Sequence, residues 1–357
     1  MTDIKTDNKF NYNIAFMKAF FSFCVVLVHY WVPDDESGLT MQIIRNVINV
    51  SAPVFFVISF FLTADFLRKN TVKTVKKRLL RLYIPQVFWA CTYFFGYLVV
   101  IELLRRYYSK ADFLYNTEFI NKKSLLWQIF LGSDVFLCPQ FWYQFVLIVL
   151  TVVCIVIYRL SPKHGTKIIA GLALIALILQ YSGINHSFFD FKRYEIRYSL
   201  GRIAESVPYA FVGIMLHGSK ALDFLKKNVV IVLITCPILI VLTTFFSMHV
   251  NTTPAGFSYS GIHMILVSII CFVFFSTIPL EKCGIMAKNS LRFLSKYSFG
   301  IFCIHMGIGR VLEGVVFFRF NIKWGSFTEC VFIYLASFVL AHMISVLPGN
   351  FFKKMVT

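Results

Sequence analysis

Two ionisable side chains, Lys18 and His29, lie within one long apolar stretch of the sequence. An ionised side chain at the centre of a membrane-spanning helix costs about 2.5–3.5 kcal/mol, so such a residue indicates a function. Eleven helical steps of about 100° separate the two and return to nearly the same face, which Ser22 and Val25 share. These four residues on one helix face predict a polar stripe across the membrane. Alternatively, Lys18 extends to the cytoplasmic surface and His29 binds a carbonyl group.

Two arginines, Arg78 and Arg81, lie three positions apart in a basic segment shortly before Pro85. Residues at this spacing are neighbours on a helix surface. Because guanidinium groups match the geometry of phosphate oxygens, the pair predicts a binding site for a phosphate-bearing cofactor. The alternative is a topological anchor, since positive residues favour the cytoplasmic side of a membrane.

A third motif covers 296–305 and ends at His305. Ser298 and His305 are seven positions apart, which places them on one helix face. His305 is predicted near the middle of its span, where ionisable side chains are rare and usually functional. Arg310 follows one to two turns later and is at the right spacing for an ion pair with Glu313.

The composition predicts an integral membrane protein. Hydrophobic residues make up 58% of the 357 positions and charged residues only 15%, whereas soluble domains are about half apolar and about a quarter charged. The net charge of +18 comes mostly from Lys and Arg between apolar blocks, which favours membrane topology over nucleic-acid binding. The nine Cys show no metal-ligand spacing, so no metal site is predicted.

The apolar blocks predict an all-α bundle of about ten transmembrane helices within one domain, because a span needs about 20 apolar residues. The first block is too long for a signal peptide and lacks a cleavage site. An interfacial helix is expected at 125–130. The predicted spans are 14–32, 49–67, 80–103, 140–158, 168–181, 203–217, 229–249, 261–278, 297–317 and 327–347.

The distribution of basic residues predicts the orientation. With the N-terminus in the cytoplasm, 21 Lys and Arg residues fall in inside segments and 12 in outside segments. Positive residues favour the cytoplasmic side, so both termini are expected there. An odd number of spans would put the basic residues Lys353 and Lys354 outside.

Taken together and in this order, the motifs resemble the bacterial membrane acyltransferases of family 3. That family has Arg, ten further residues and His in its first span, where this chain has Lys18 and His29. Its second span is rich in Pro and Phe and ends in Ile-Ser-Gly, which 53–62 matches except for Phe60 at the Gly position. Lys18 is a departure from the family pattern, because a lysine does not bind phosphate through two paired hydrogen bonds as an arginine does.

Two later elements carry the same resemblance. The family has Arg-x-x-Arg before a Pro at its third span, matched by Arg78, Arg81 and Pro85. It also has a late Tyr-Ser-x-Gly-Ile-Tyr-x-x-His element, which 297–305 matches with Phe302 in place of the second Tyr. The resemblance covers the whole chain, with no appended hydrolase-like domain.

The resemblance implies an O-acetyltransferase in the bacterial inner membrane, with cytoplasmic acetyl-CoA as donor and a sugar or polysaccharide hydroxyl as acceptor. His29 is the expected base, since a hydroxyl is a weak nucleophile and histidine ordinarily titrates near pH 6.5. Arg78 and Arg81 are expected to bind the CoA phosphates and Lys18 to hold or steer the donor. His305 is expected to be a second base, an orienting group or part of the acceptor site.

The sequence leaves three points open. Asp34, Asp35 and Glu36 are candidates for orienting His29 from just beyond the first span. The acyl group is acetyl or succinyl. The alternatives to acyl transfer are a polysaccharide or small-molecule transporter, whose polar stripe is a permeation path, and an inactive scaffold in a polysaccharide assembly complex.

Overall fold

The computed structural model describes residues 10–33, 38–69, 72–107, 140–181, 196–249, 261–320 and 325–357, which form helices and turns and no strand. The helices of the first half are α1 (Tyr12–Tyr30), α2 (Leu39–Asn49), α3 (Ser51–Lys69), α4 (Val72–Tyr107), α5 (Phe141–Leu160) and α6 (Gly165–Tyr181). Those of the second half are α7 (Ile196–Leu216), α8 (Lys220–Lys227), α9 (Val229–His249), α10 (Ile262–Thr277), α11 (Ile285–Lys296), α12 (Ser298–Phe320), α13 (Phe327–Val346) and α14 (Asn350–Val356). A single 3₁₀ turn, Leu280–Lys282, lies between α10 and α11.

These helices confirm the prediction of an all-α integral membrane protein. Within the described ranges, six helical segments are long and apolar enough to cross a membrane, and α6 and the first part of α12 are shorter apolar helices. Each of the ten predicted spans coincides with a helix. The number of helices that cross the membrane and the cytoplasmic location of both termini stay predictions. The interfacial helix expected at 125–130 lies outside the described residues.

Helix α1 lies at the centre of the bundle, in contact with α2, α3 and all four helices from α10 to α13. Asn13 Nδ2 donates to the carbonyl oxygens of Phe275 and Ile278, both at 2.7 Å. At the other end of the helix, the Tyr30 hydroxyl donates to the Met306 carbonyl at 3.1 Å. The side chains of α1 are therefore fixed in position from both ends.

Helices α4 and α12 are joined by Tyr93. Its hydroxyl donates to the Cys303 carbonyl at 2.6 Å and accepts from the Gly307 N–H at 3.1 Å. In a regular helix that N–H and that carbonyl bond to each other. The Tyr93 hydroxyl thus lies within the backbone ladder of α12, beside His305.

Helices α3 and α7 approach closely at Gly213. A Cβ on Gly213 would lie 2.5 Å from the Val57 carbonyl oxygen and 2.9 Å from Phe60 Cβ. Close helix approach through small residues is a common packing mode in membranes. The backbone oxygen cannot yield as a flexible side chain can, so this position requires glycine.

We expect Gly213→Ala to lower the stability of the protein by about 1–3 kcal/mol, because the added methyl forces α3 and α7 apart. The melting temperature of the purified protein in detergent measures this effect. Gly171→Ala is the matched control, since a Cβ at Gly171, inside α6, has no atom within 4 Å. Alanine favours a helix over glycine by about 1 kcal/mol, so the control should be as stable as wild type or more so. Equal melting temperatures for the two variants would contradict the close approach.

Candidate functional site

The structure brings His29 and His305 together. His29 lies in the last turn of α1 and His305 two turns into α12, and their ring centroids are 5.4 Å apart with planes tilted by 34°. Because α1 contacts α12 directly, the two predicted residues form one histidine pair although most of the chain separates them.

The hydrogen bonds of His305 determine its tautomer. The side chain is fully buried, and Nδ1 lies 3.0 Å from the Ile301 carbonyl oxygen. A carbonyl oxygen only accepts, so Nδ1 carries the hydrogen and the neutral ring has its lone pair on Nε2. That Nε2 is buried and has no hydrogen-bond partner among the described residues. Such atoms are uncommon in folded proteins, so Nε2 is available as an acceptor.

A small, partly open cavity of about 30 Å³ lies beside the histidine pair. His29 is an exposed side chain although its helix is central, because it faces this cavity. The lining residues are mostly apolar and aromatic, with a few polar groups: Val25, Val28, His29, Ser51, Ala52, Phe55, Gln140, Trp142, Tyr143 and Phe302.

A second group of predicted residues lies within electrostatic range of one another. Lys18 of α1 lies within electrostatic range of both Arg78 and Arg81 of α4. Arg78 is half-buried, and its Nε has no hydrogen-bond partner in the described part of the chain, whereas Arg81 is exposed. Three like charges repel one another, so a polyanion between them would stabilise the arrangement. We call these three residues the cationic cluster.

Tyr143 lines the cavity and also lies within electrostatic range of the cationic cluster. Its ring lines the cavity beside His29, its hydroxyl lies 3.4 Å from Ser59 Oγ, and it is within electrostatic range of Arg78. The next residue, Gln144, donates from Nε2 to the Leu82 carbonyl at 2.9 Å, which fixes α5 against α4 at this level. Tyr143 thus connects the cationic cluster with the cavity that His29 lines.

Other predicted residues lie apart from the cavity lining. The Ser22 hydroxyl is buried, donates to the Ala19 carbonyl at 2.8 Å and lies 3.5 Å from the Tyr334 hydroxyl. The polar stripe of α1 is therefore interrupted in its middle. Ser298 donates to the Ser295 carbonyl at the start of α12. Asp34, Asp35 and Glu36 lie outside the described residues, as does the side chain of Glu313.

The structure also adds residues that the sequence did not identify as part of a site. Gln140 and Ser51 line the cavity, and neither has a periodic or motif signal in the sequence. Trp142 and Tyr143 are readily interpreted as an aromatic belt at the membrane surface, since these residue types are enriched there. Both are instead buried in the bundle.

The comparison with protein families decides the class of enzyme. A family described as an acyltransferase domain, acyltransferase family 3, matches residues 11–346, nearly the whole chain. The chain belongs to acyltransferase family 3. This membership confirms the resemblance stated from the motifs and makes the protein a multi-pass membrane acyltransferase. Comparisons with curated proteins and with solved structures gave no match.

The range that the family matches includes all of the predicted site residues. The pair Lys18 and His29 and the pair Arg78 and Arg81 fall within the matched range, as does His305. An acyltransferase needs a site for an acyl donor beside a group that activates the acceptor. The cationic cluster and the histidine pair supply chemistry suited to these two tasks.

The geometry predicts that His29 reacts with diethyl pyrocarbonate and that His305 does not. The reagent modifies neutral imidazole that it can reach, and only His29 faces the cavity while His305 is fully buried. Mass spectrometry of peptides from protein labelled in detergent measures both sites. His249, exposed at the end of α9, is the positive control. Labelling of His249 without labelling of His29 would show that the cavity is closed to solvent.

Proposed function

We propose that this acyltransferase moves an acetyl group from cytoplasmic acetyl-CoA to a hydroxyl of a cell-surface or lipid-linked sugar or polysaccharide, in the bacterial inner membrane. The observation that carries the proposal is the contact of His29 with His305 at the wall of a cavity. The cationic cluster lies in the same region, connected through Tyr143.

The donor site follows from the charge of coenzyme A. Its phosphate groups are anionic, and guanidinium groups bind phosphate through paired hydrogen bonds. Arg78 and Arg81 are therefore assigned to the phosphates. Lys18, which is within electrostatic range of both, contributes a third positive charge on α1. With this assignment, the phosphates offset the repulsion among three cations gathered at one place in the bundle.

The acyl transfer step needs a base for the acceptor hydroxyl. His29 is the candidate, since it faces the cavity. Its ring nitrogen accepts the hydroxyl proton while the oxygen attacks the thioester carbonyl, and the carbon–sulfur bond then breaks. The same nitrogen returns the proton to the departing thiolate. The products are the acetyl ester and the free thiol of coenzyme A.

His305 is assigned as the positioning residue for His29. Its Nε2 carries a lone pair and faces no other described hydrogen-bond donor. With ring centroids 5.4 Å apart, a small rotation of either ring allows an N–H of His29 to donate to this nitrogen. The other nitrogen of His29 is then unprotonated, which is the form that a base requires. A base held by a third group is a recurrent arrangement in acyl transfer.

We expect His29→Gln to lower the rate of acetyl transfer by about 10²–10⁴-fold, the usual contribution of a general base. Transfer of radioactive label from acetyl-CoA to a polysaccharide extract in membrane vesicles measures this rate. His249→Gln is the control, because His249 is exposed at the end of α9. An unchanged rate in His29→Gln would exclude His29 as the base. Glycan transport by wild-type vesicles that lack acetyl-CoA would favour a transporter instead.

For Arg78→Ala and Arg81→Ala, we expect the KM for acetyl-CoA to rise roughly tenfold or more, since each loses a charge-assisted hydrogen bond. The KM for the glycan should change less than about twofold, because the arginines do not line the cavity. Lys163→Ala removes a positive charge from an exposed turn between α5 and α6 and serves as the control. A rise confined to the glycan KM would move the arginines away from the donor.

A further inference from the structure

Gln140 is a buried polar residue without a partner in the described part of the chain. It directly precedes α5, and its side chain is only 2% exposed. Neither Nε2 nor Oε1 of its amide has a hydrogen-bond partner among the described residues. Because buried side-chain amides are normally satisfied, an amide in this state is suited to binding a ligand.

The amide of Gln140 lies at the cavity beside His29. It lines the same cavity as His29, and its backbone carbonyl accepts from the Tyr143 N–H at 3.1 Å. The backbone is thus fixed at the start of α5 while the amide is left available to a molecule in the cavity. Ser51, at the start of α3, adds a hydroxyl to the same lining.

The chemistry of an amide favours a hydroxyl-rich acceptor over the thioester group of the donor. A primary amide offers two donors on nitrogen and acceptor lone pairs on oxygen. A thioester only accepts, so it would leave Oε1 without a partner. A sugar carries adjacent hydroxyl groups, each of which both donates and accepts, and can satisfy both ends of the amide. The aromatic walls suit the apolar C–H faces of a sugar ring, and a mostly apolar lining with a few placed polar groups is usual for such sites.

The cavity wall next to Gln140 is held rigidly. The Arg202 guanidinium lies 4.9 Å from the centroid of the Trp142 ring, which lines the cavity. Arg202 also forms an ion pair with Glu205 at 2.8 Å, and Glu205 is 1% exposed. The ion pair fixes Arg202, and its cation–π contact stabilises this orientation of the Trp142 ring.

We propose that Gln140, with Ser51 and the aromatic walls, forms an acceptor subsite that holds one sugar ring beside His29. This assignment rests on the function proposed above and makes Gln140 a binding residue for the acceptor. Hydrogen bonds from the amide to two substituents of the sugar ring would fix the orientation of the ring. The reacting hydroxyl would then lie between these substituents and His29. The identity of the accepted sugar would depend on which ring positions match the two ends of the amide.

The test compares Gln140→Leu with Gln180→Leu. Gln180, in α6, is also buried with both amide atoms unpartnered in the described chain, but it does not line the cavity. The acceptor is polysaccharide extracted from the source cells and freed of esters by mild alkali, and the donor is radioactive acetyl-CoA. The KM for each reactant and the melting temperature of each variant are measured.

In Gln140→Leu we expect the KM for the glycan to rise roughly tenfold or more, the factor that corresponds to lost hydrogen bonds. The KM for acetyl-CoA should change less than about twofold. Gln180→Leu should keep both wild-type values. Both variants should melt at or above the wild-type temperature, because leucine removes an unsatisfied buried amide.

Three results would overturn the subsite. The first is a wild-type glycan KM in Gln140→Leu. The second is a larger rise in the KM for acetyl-CoA than for the glycan, which would assign the amide to the donor. The third is an equal loss in Gln180→Leu, which would indicate a general effect on folding. If wild-type protein transfers no label to any glycan, the proposed function itself fails and the subsite fails with it.

Discussion

The position of α1 at the centre of the bundle is the constraint on which the site depends. In the hydrocarbon of a membrane, helices satisfy their own backbone groups, so chemistry is left to side chains and to the way helices pack. Because α1 contacts six other helices, its side chains meet groups from both halves of the chain. Lys18 lies within electrostatic range of the arginines of α4, and His29 lies beside His305 of α12.

The polar groups of this bundle divide into two sets. Most are satisfied within their own helix, as when Thr151 donates to the Leu147 carbonyl or Ser268 to that of Met264. Those around the cavity differ, since His305 Nε2 and the Gln140 amide have no partners among the described residues. Leaving such groups unsatisfied lowers stability. Unsatisfied buried atoms also occur away from the cavity lining, on Arg78, Gln86, Gln180 and His217 among others in the described ranges, so the cavity is one of several places that carry this cost.

The sequence predicted the helices well because apolar length decides what crosses a membrane. It also predicted His29 and His305 as site residues, since an ionisable side chain within a span is costly and usually functional. It did not predict α2, which ends just before the break at Val50, or the short helices α8, α11 and α14, which are too short to span. Contact between His29 and His305 could not be predicted from spacing, because helical periodicity relates only residues of one helix. Gln140 is a single residue outside any pattern, so only the cavity reveals it.

Helix α4 carries the arginines of the cationic cluster near its start and Tyr93 further along. The Tyr93 hydroxyl bonds both the Cys303 carbonyl and the Gly307 N–H, which lie on either side of His305 in the sequence. A displacement of α4 would therefore act on the arginines and on this part of α12 together. Thermodynamic linkage then requires reciprocity: if donor binding shifts α4 and so the histidine, the histidine arrangement changes donor affinity by the same factor.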